Sequence, residues 1–287
     1  MMPVVARTGL GLAVARRTLG CPAVLVPTMG ALHHGHRILL RRARDIAGPD
    51  GSVVVSIFVN PLQFGEATDL ERYPRTLDED VRVCAQEGAD LVFAPDSRVM
   101  YPRPQLITVD PGPMGQLLEG ESRPGHFTGV LTVVLKLFQL TGPDVAVFGE
   151  KDAQQLALIR RMAADFDLAV EIIGVPTVRD DDGLAISSRN RFLSGPERQT
   201  ALLLPAALSA GREAAHAGPA AVLKAAGEVL GQPTDPPLRL DYLALVDPET
   251  FQPVADEFGG DARLLAAARI GATRLIDNTP LHLGAAD

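Results

Sequence analysis

Short, β-branched apolar runs alternate with segments of helical period through the first two-thirds of the chain. Ala23-Val24-Leu25-Val26 and Val53-Val54-Val55-Ser56-Ile57-Phe58-Val59 read as buried strands, the second closed by Asn60-Pro61. Asp90–Ala94 and Val145–Phe148 have the same character and stop at Pro95 and Gly149; Ala169–Val175 is a further strand candidate. Val130, Val133, Val134, Leu137 and Phe138 recur at the spacing of one helix face, as do Leu156, Ile159, Ala163 and Phe166. The alternation predicts an α/β fold of βαβ units with a parallel sheet. In such a sheet ligands collect beyond the carboxyl ends of the strands, near the point where strand order reverses.

The pattern changes after about residue 195. Residues 201–230 are rich in Ala and Leu, broken at Gly218-Pro219, and Gly231-Gln232-Pro233-Thr234-Asp235-Pro236-Pro237 reads as a linker. Two strands are expected beyond it, Leu240–Val246 and Thr273–Asn278, joined through Arg263–Ala268. The expectation is a second, smaller α+β domain, with a hinge between 176 and 196.

A chain of 287 residues can build one large or two medium domains. It has no apolar run near the ~20 residues that span a bilayer, and Met1-Met2-Pro3-Val4-Val5-Ala6-Arg7 is too short for a secretory signal. Cys21 and Cys84 are its only two thiols, which excludes a disulfide framework. A cytoplasmic protein without a membrane partner is expected. The net charge of −8 argues against a nucleic-acid partner, which calls for a basic field. Arg37, Arg41 and Arg44 stand at helical spacing and read as a solvent-facing stripe.

The sharpest chemical signal is Pro27-Thr28-Met29-Gly30-Ala31-Leu32-His33-His34-Gly35-His36, directly after the first long strand. A glycine turn there leads to a helix start carrying His33 and His36 on one face. Unpaired N–H groups and the helix dipole at that point favour an anion such as a triphosphate. An ordinary strand–turn–helix is the plain alternative, and a metal site the third. The metal reading lacks partner ligands at zinc spacing.

Gly149-Glu150-Lys151-Asp152 follows another strand and supplies a compact cation, although such a turn is also a common solvated helix start. Of Gln154 and Gln155, adjacent on one helix, only one is expected to face the site. Ser187-Ser188-Arg189-Asn190 offers hydroxyls and a guanidinium after Gly183, or else a helix cap. Asn60 and Gln63 carry neutral amides, and on composition alone they read as part of a Pro-containing turn. Asp78-Glu79-Asp80 reads as a solvated helix start, with a share in holding magnesium as the alternative.

Six motifs in order resemble those of the pantothenate synthetase family. They are Pro27–His36, Ser56-Ile57-Phe58-Val59-Asn60-Pro61-x-Gln63-Phe64, Tyr73-Pro74-Arg75-Thr76, Gly125-His126-Phe127-x-Gly129-Val130, Phe148–Asp152 and Ser187–Asn190. Leu275-Ile276-Asp277-Asn278 is similar to the family's C-terminal segment. The resemblance implies a Rossmann-like ATP- and pantoate-binding domain over residues 1–177 and a smaller C-terminal lid domain over 178–287. It implies a homodimer, with ATP and Mg²⁺ driving the joining of (R)-pantoate to β-alanine, through a pantoyl adenylate, to give pantothenate, AMP and pyrophosphate.

Carried over by motif, the ATP contacts are Met29, Gly30, Ala31, Leu32, His33, His34, Gly35 and His36, then Gly149, Glu150, Lys151 and Asp152, then Val178, Ile186, Ser187, Ser188 and Arg189. His34 stands at a variable position and inherits no specific role. Gln63, Gln155 and Asn60 are the implied pantoate and β-alanine residues. His36 is the implied proton donor, with His33, Lys151 and Arg189 beside it in catalysis. Ile186 departs from the Met usual in the family, an apolar exchange that bears on packing. A reactive acyl adenylate must be kept from water, which gives a lid its purpose.

Two rival readings are set apart by simple assays. Another adenylyltransferase would share the phosphate residues without using Asn60–Phe64. A nucleotide sensor would bind ATP without exchanging pyrophosphate.

Overall fold

The computed structural model describes residues 1–64, 70–71 and 73–284. Six parallel strands form the larger sheet: β1 (Val4–Ala6), β2 (Ala23–Thr28), β3 (Ser52–Ile57), β4 (Leu91–Phe93), β5 (Val145–Gly149) and β6 (Glu171–Val175). Their order is β1-β4-β3-β2-β5-β6, with Val24 facing Val53 on one side and Val145 on the other. Strand order reverses between β2 and β5, so the predicted crevice lies where the Thr28–Gly30 turn and Gly149 emerge.

Successive side chains of a strand point to opposite faces, and both faces here are covered. Leu25 and Val54 pack with Leu12, Phe138 and Ile159, whereas Val24, Val26, Val53 and Val55 pack with Leu40, Ala43 and Cys84. The first face belongs to helices α1 (Gly9–Arg16), α6 (His126–Thr141) and α7 (Ala153–Asp165), the second to α2 (His34–Ala47) and α3 (Leu77–Gln86). Short helices α4 (Ser97–Met100) and α5 (Glu119–Ser122) lie between them in sequence. The predicted face Val130, Val133, Val134, Leu137 and Phe138 is buried throughout. Phe166 is exposed, because α7 has already ended.

The smaller sheet is antiparallel, in the order β7 (Leu238–Val246), β8 (Gly260–Ile270), β9 (Thr273–Leu283). Helices α8 (Gly195–Ala201), α9 (Leu203–Glu213) and α10 (Pro219–Leu230) precede it, and Gly218, at φ +88°, separates the last two with Pro219 opening α10. Arg263–Ala268, expected as a connection, is instead the middle of the central strand. Alanine has low β propensity, so an Ala-rich strand hides in the sequence. β9 runs on past Asn278 through Pro280, which a strand at the sheet edge accommodates. β8 and β9 join at Gly271-Ala272, where Gly271 takes φ +56°.

Two compact units divide the chain. One comprises Met1–Glu150 and Gln155–Pro176, the other Lys151–Gln154 and Thr177–Asp287. Among the described residues no helix is long and apolar enough to cross a membrane.

Candidate active site

In the first unit, β2 runs into a turn built by local hydrogen bonds. The Thr28 hydroxyl donates to the Ser56 carbonyl and accepts from the Gly30 N–H. Gly30 takes φ +80° and Ala31 φ +51°, and a Cβ on Gly30 would press on Asp80 and Ile57. The Asp80 carboxylate receives the N–H groups of Ala31 at 3.1 Å and Leu32 at 2.8 Å, together with the Thr76 hydroxyl at 3.2 Å. Asp80 is only 2% exposed. The expectation of a solvated acid therefore fails for Asp80, which belongs to a turn that ends 48 residues before it.

The turn delivers His33 as the N-cap of α2 and His36 in its first turn. Their rings lie 4.0 Å apart, centroid to centroid, at 37°. The His36 Nδ1 accepts the backbone N–H of His33 at 3.2 Å. An accepting Nδ1 leaves the proton of a neutral imidazole on Nε2, so His36 is set as a donor at that nitrogen. His34 is exposed, consistent with its place outside the paired rings.

Arg37, Arg41 and Arg44 reach solvent in part, Arg41 most, and each is paired with an acid as well. Arg37 and Arg41 both bind Glu87 at 2.7 Å, and Arg44 binds Asp90 at 2.9 Å along with the carbonyls of Gly48, Gly51 and Gly88. They clasp α2 to the end of α3 and the loop beyond. The hydrogen bond from Arg41, with further help from Arg37, holds the Glu87 carboxyl below its ordinary range despite partial burial. Behind the turn, burial and then the Asp80 carboxylate push the Cys84 thiol up to about 12.

Asn60, Pro61, Leu62 and Gln63 follow β3, the last three as one 3-10 turn capped by the Asn60 side chain. The turn reading thus holds, and its two amides are buried: Asn60 and Gln63 are 1% and 8% exposed. The Gln63 amide donates to the Met29 sulfur at 3.0 Å, and its backbone carbonyl meets His126 Nδ1 at 2.9 Å. A carbonyl only accepts, so His126 carries its proton on Nδ1, leaving Nε2 to receive Arg123. A Cβ on Gly129 would lie 2.2 Å from the Leu62 carbonyl oxygen, so only glycine lets α6 approach this turn. The Gly125–Val130 motif is therefore the support of Gln63. Gln154 is buried while Gln155 is half-buried on α7, and Gly149 has open space where a side chain would stand.

The second unit carries Lys151, Asp152, Val178 and Ile186–Arg189. The Ile186 N–H donates to the Val178 carbonyl, and Arg179 bridges to Ala185, so Val178 and Ile186 face each other across a narrow loop turned at Gly183, φ +91°. Ser187 accepts the Arg189 N–H at the start of a 3-10 turn, leaving Arg189 exposed; the cap and the motif coexist. Arg179 forks onto the buried Asp277 at 2.6 and 3.0 Å, while Asn278 donates to the Lys151 carbonyl at 2.9 Å and accepts from Arg263. The C-terminal motif thus fixes the backbone of the candidate phosphate lysine.

The pantoate-beta-alanine ligase family matches residues 10–280. The chain belongs to that family. A pantothenate synthetase of Thermobifida fusca is 60% identical over 289 residues, covering 98% of this chain and 96% of the relative. One from Streptomyces coelicolor is 51% identical, covering 98% and 96%. Among solved structures, the pantothenate synthetase of Thermus thermophilus is 47% identical at TM-score 0.87, covering 96% of this chain and 98% of that one. The pantoate-beta-alanine ligase of Francisella tularensis, complexed with beta-gamma ATP and beta-alanine, is 34% identical at TM-score 0.77, covering 96% and 97%.

Within this ligase fold the sequence signals left Tyr101 unmentioned, gave Gly125–Gly129 only a place among the motifs, and read Asp80 as a helix start or a magnesium ligand. All three act on residues far along the chain.

Proposed function

We propose that the chain condenses (R)-pantoate with β-alanine at the expense of ATP, giving pantothenate, AMP and pyrophosphate. The observation that carries the reading is the family match across residues 10–280. In the first step a pantoate carboxylate oxygen bonds to the α-phosphorus of ATP, and the bond to pyrophosphate breaks. In the second the β-alanine amine attacks the acyl carbon, the amide forms and AMP leaves; the amine's proton passes to the medium.

Both steps bring negative charge against negative charge. His33 and His36 of the first unit and Lys151 and Arg189 of the second are assigned to the phosphates, offsetting that repulsion and the charge gathering on pyrophosphate. His36 offers a hydrogen bond through Nε2–H, the nitrogen that its capping bond leaves protonated. The backbone of Met29–His36, Gly149–Asp152, Val178 and Ile186–Ser188 is assigned to the rest of ATP, and Gln63 and Gln155 to pantoate, with Gln63 also near β-alanine.

Magnesium fits as part of the substrate, entering on the ATP phosphates. Among the described residues no group of three or more His, Cys, Asp or Glu could hold a metal ion. Asp80 already accepts three hydrogen bonds, from Ala31, Leu32 and Thr76, and is committed to holding the turn. Mg²⁺ needs few protein carboxylates when phosphates supply oxygens, and bound there it neutralises phosphate charge. A homodimer and a cytoplasmic location complete the reading.

The test is ATP–pyrophosphate exchange. Exchange that requires pantoate, followed by AMP release that requires β-alanine, is the expected result. Exchange without pantoate, or ATP binding without exchange, overturns the assignment.

A further inference from the structure

Two backbone groups dictate which way the Gln63 amide faces. Asn60 stands between them: the Leu62 N–H donates to its Oδ1 at 3.3 Å, and its Nδ2 donates to the Gly129 carbonyl at 3.0 Å. A backbone N–H cannot accept and a carbonyl cannot donate, so the Asn60 amide has one permitted orientation. The Tyr101 hydroxyl adds a second donor to the same Oδ1 at 2.9 Å. The second Nδ2 proton goes to Gln63 Oε1 at 3.1 Å. The protein itself thereby fills all four hydrogen-bonding positions of the Asn60 amide.

The orientation passes on. Whatever atom of Gln63 faces Asn60 Nδ2 must accept, so Oε1 turns inward and Nε2 turns away. One Nε2 proton rests on the Met29 sulfur, a weak acceptor. The other has no partner among the described residues.

We propose that Tyr101 and Asn60 are positioning residues that act through Gln63, fixing its amide so that an N–H meets an acceptor oxygen of pantoate. Asn60 then serves the substrate from behind Gln63 and does not touch it. Tyr101 is held for the task, with Phe58 packed at 6.0 Å and the Lys136 ammonium 5.4 Å from its ring centre. Burial raises its pKa, so the hydroxyl keeps the proton it donates. The relay also sets specificity: an outward N–H donates to a carboxylate or hydroxyl oxygen and refuses a ligand that offers only donors there.

The proposal rests on pantoate being the substrate, and a double-mutant cycle separates the two questions. Tyr101→Phe removes one hydroxyl, and KM for pantoate in the exchange reaction is expected to rise about 3- to 10-fold while KM for ATP stays within about twofold. In a Gln63→Ala background the same change is expected to move KM for pantoate by less than about twofold, because the residue it acts through is gone. Asn60→Asp repeats the cycle should Tyr101→Phe not fold; a carboxylate cannot donate to Gln63, so a larger rise is expected, again only when Gln63 is present. An unchanged KM for pantoate in Tyr101→Phe, or the same factor in both backgrounds, overturns the relay. Pantoate-independent exchange by the unaltered chain overturns the substrate assignment instead.

Discussion

The carboxylate of Asp80 holds the backbone N–H of Leu32 at 2.8 Å, across 48 positions of sequence. With the companion bond to Ala31 it ties α3 to the turn from which His33 and His36 project. A left-handed Ala31 and a left-handed Gly30 keep their shape because an anion on the far side of the turn collects the N–H groups of Ala31 and Leu32.

Asp80→Ala is accordingly expected to lower pantoate-dependent exchange about 10- to 100-fold, since small displacements of reacting groups are costly. It is also expected to destabilise the fold by about 1.5–3 kcal/mol, the loss of hydrogen bonds to a charged group. Exchange rates and urea midpoints read both effects. A variant with full activity would detach Asp80 from the site.

His36→Ala and Lys151→Ala are each expected to reduce exchange by at least about 100-fold while the protein still folds. Circular dichroism and the same exchange assay decide it. Near-normal turnover in either variant removes that residue from the assigned chemistry.

Stability in acid follows from Glu87. Its folded pKa lies below the unfolded value of about 4.3, so its pairing with Arg41 and Arg37 stabilises the chain above that pH. The contribution disappears as pH falls through the folded value. Glu87→Gln is therefore expected to be less stable than the unaltered chain at about pH 7, with a smaller gap at a pH below the unfolded value. Urea midpoints at the two pH values test this, and a gap independent of pH would speak against it.

The two thiols are expected to react differently. Cys84 is buried with its pKa pushed up to about 12, whereas Cys21 is exposed. At about pH 8 iodoacetamide is expected to label only Cys21 in the folded chain, and both in urea. Equal labelling rates in the folded protein, read by peptide mapping, would contradict the burial of α3.

Five strands of the larger sheet were legible because they are apolar and their helices keep their period, as Val53–Val55 and the Val130–Phe138 face illustrate; the three-residue edge strand Val4–Ala6 was too short to stand out. The central strand of the smaller sheet was not, since Ala266, Ala267 and Ala268 carry no strand signature. The turn before His33 could be read locally from Gly30 and the preceding apolar run. Its anchor could not, because Asp78-Glu79-Asp80 looks like any acidic helix start and only the fold brings Asp80 to Leu32. The acid partners of Arg37, Arg41 and Arg44 were hidden for the same reason: their spacing defines a face but not what meets it. Asn60 and Gln63 were visible as amides in a turn, yet nothing nearby in sequence announces Tyr101 as their support.

The capping bond of His36 limits how protons travel. With Nδ1 engaged by the first turn of its own helix, the ring has no through-route from one nitrogen to the other. In the proposed reaction the Nε2–H therefore offers a hydrogen bond to an oxygen without handing the proton over, since a neutral ring that lost it would become an anion.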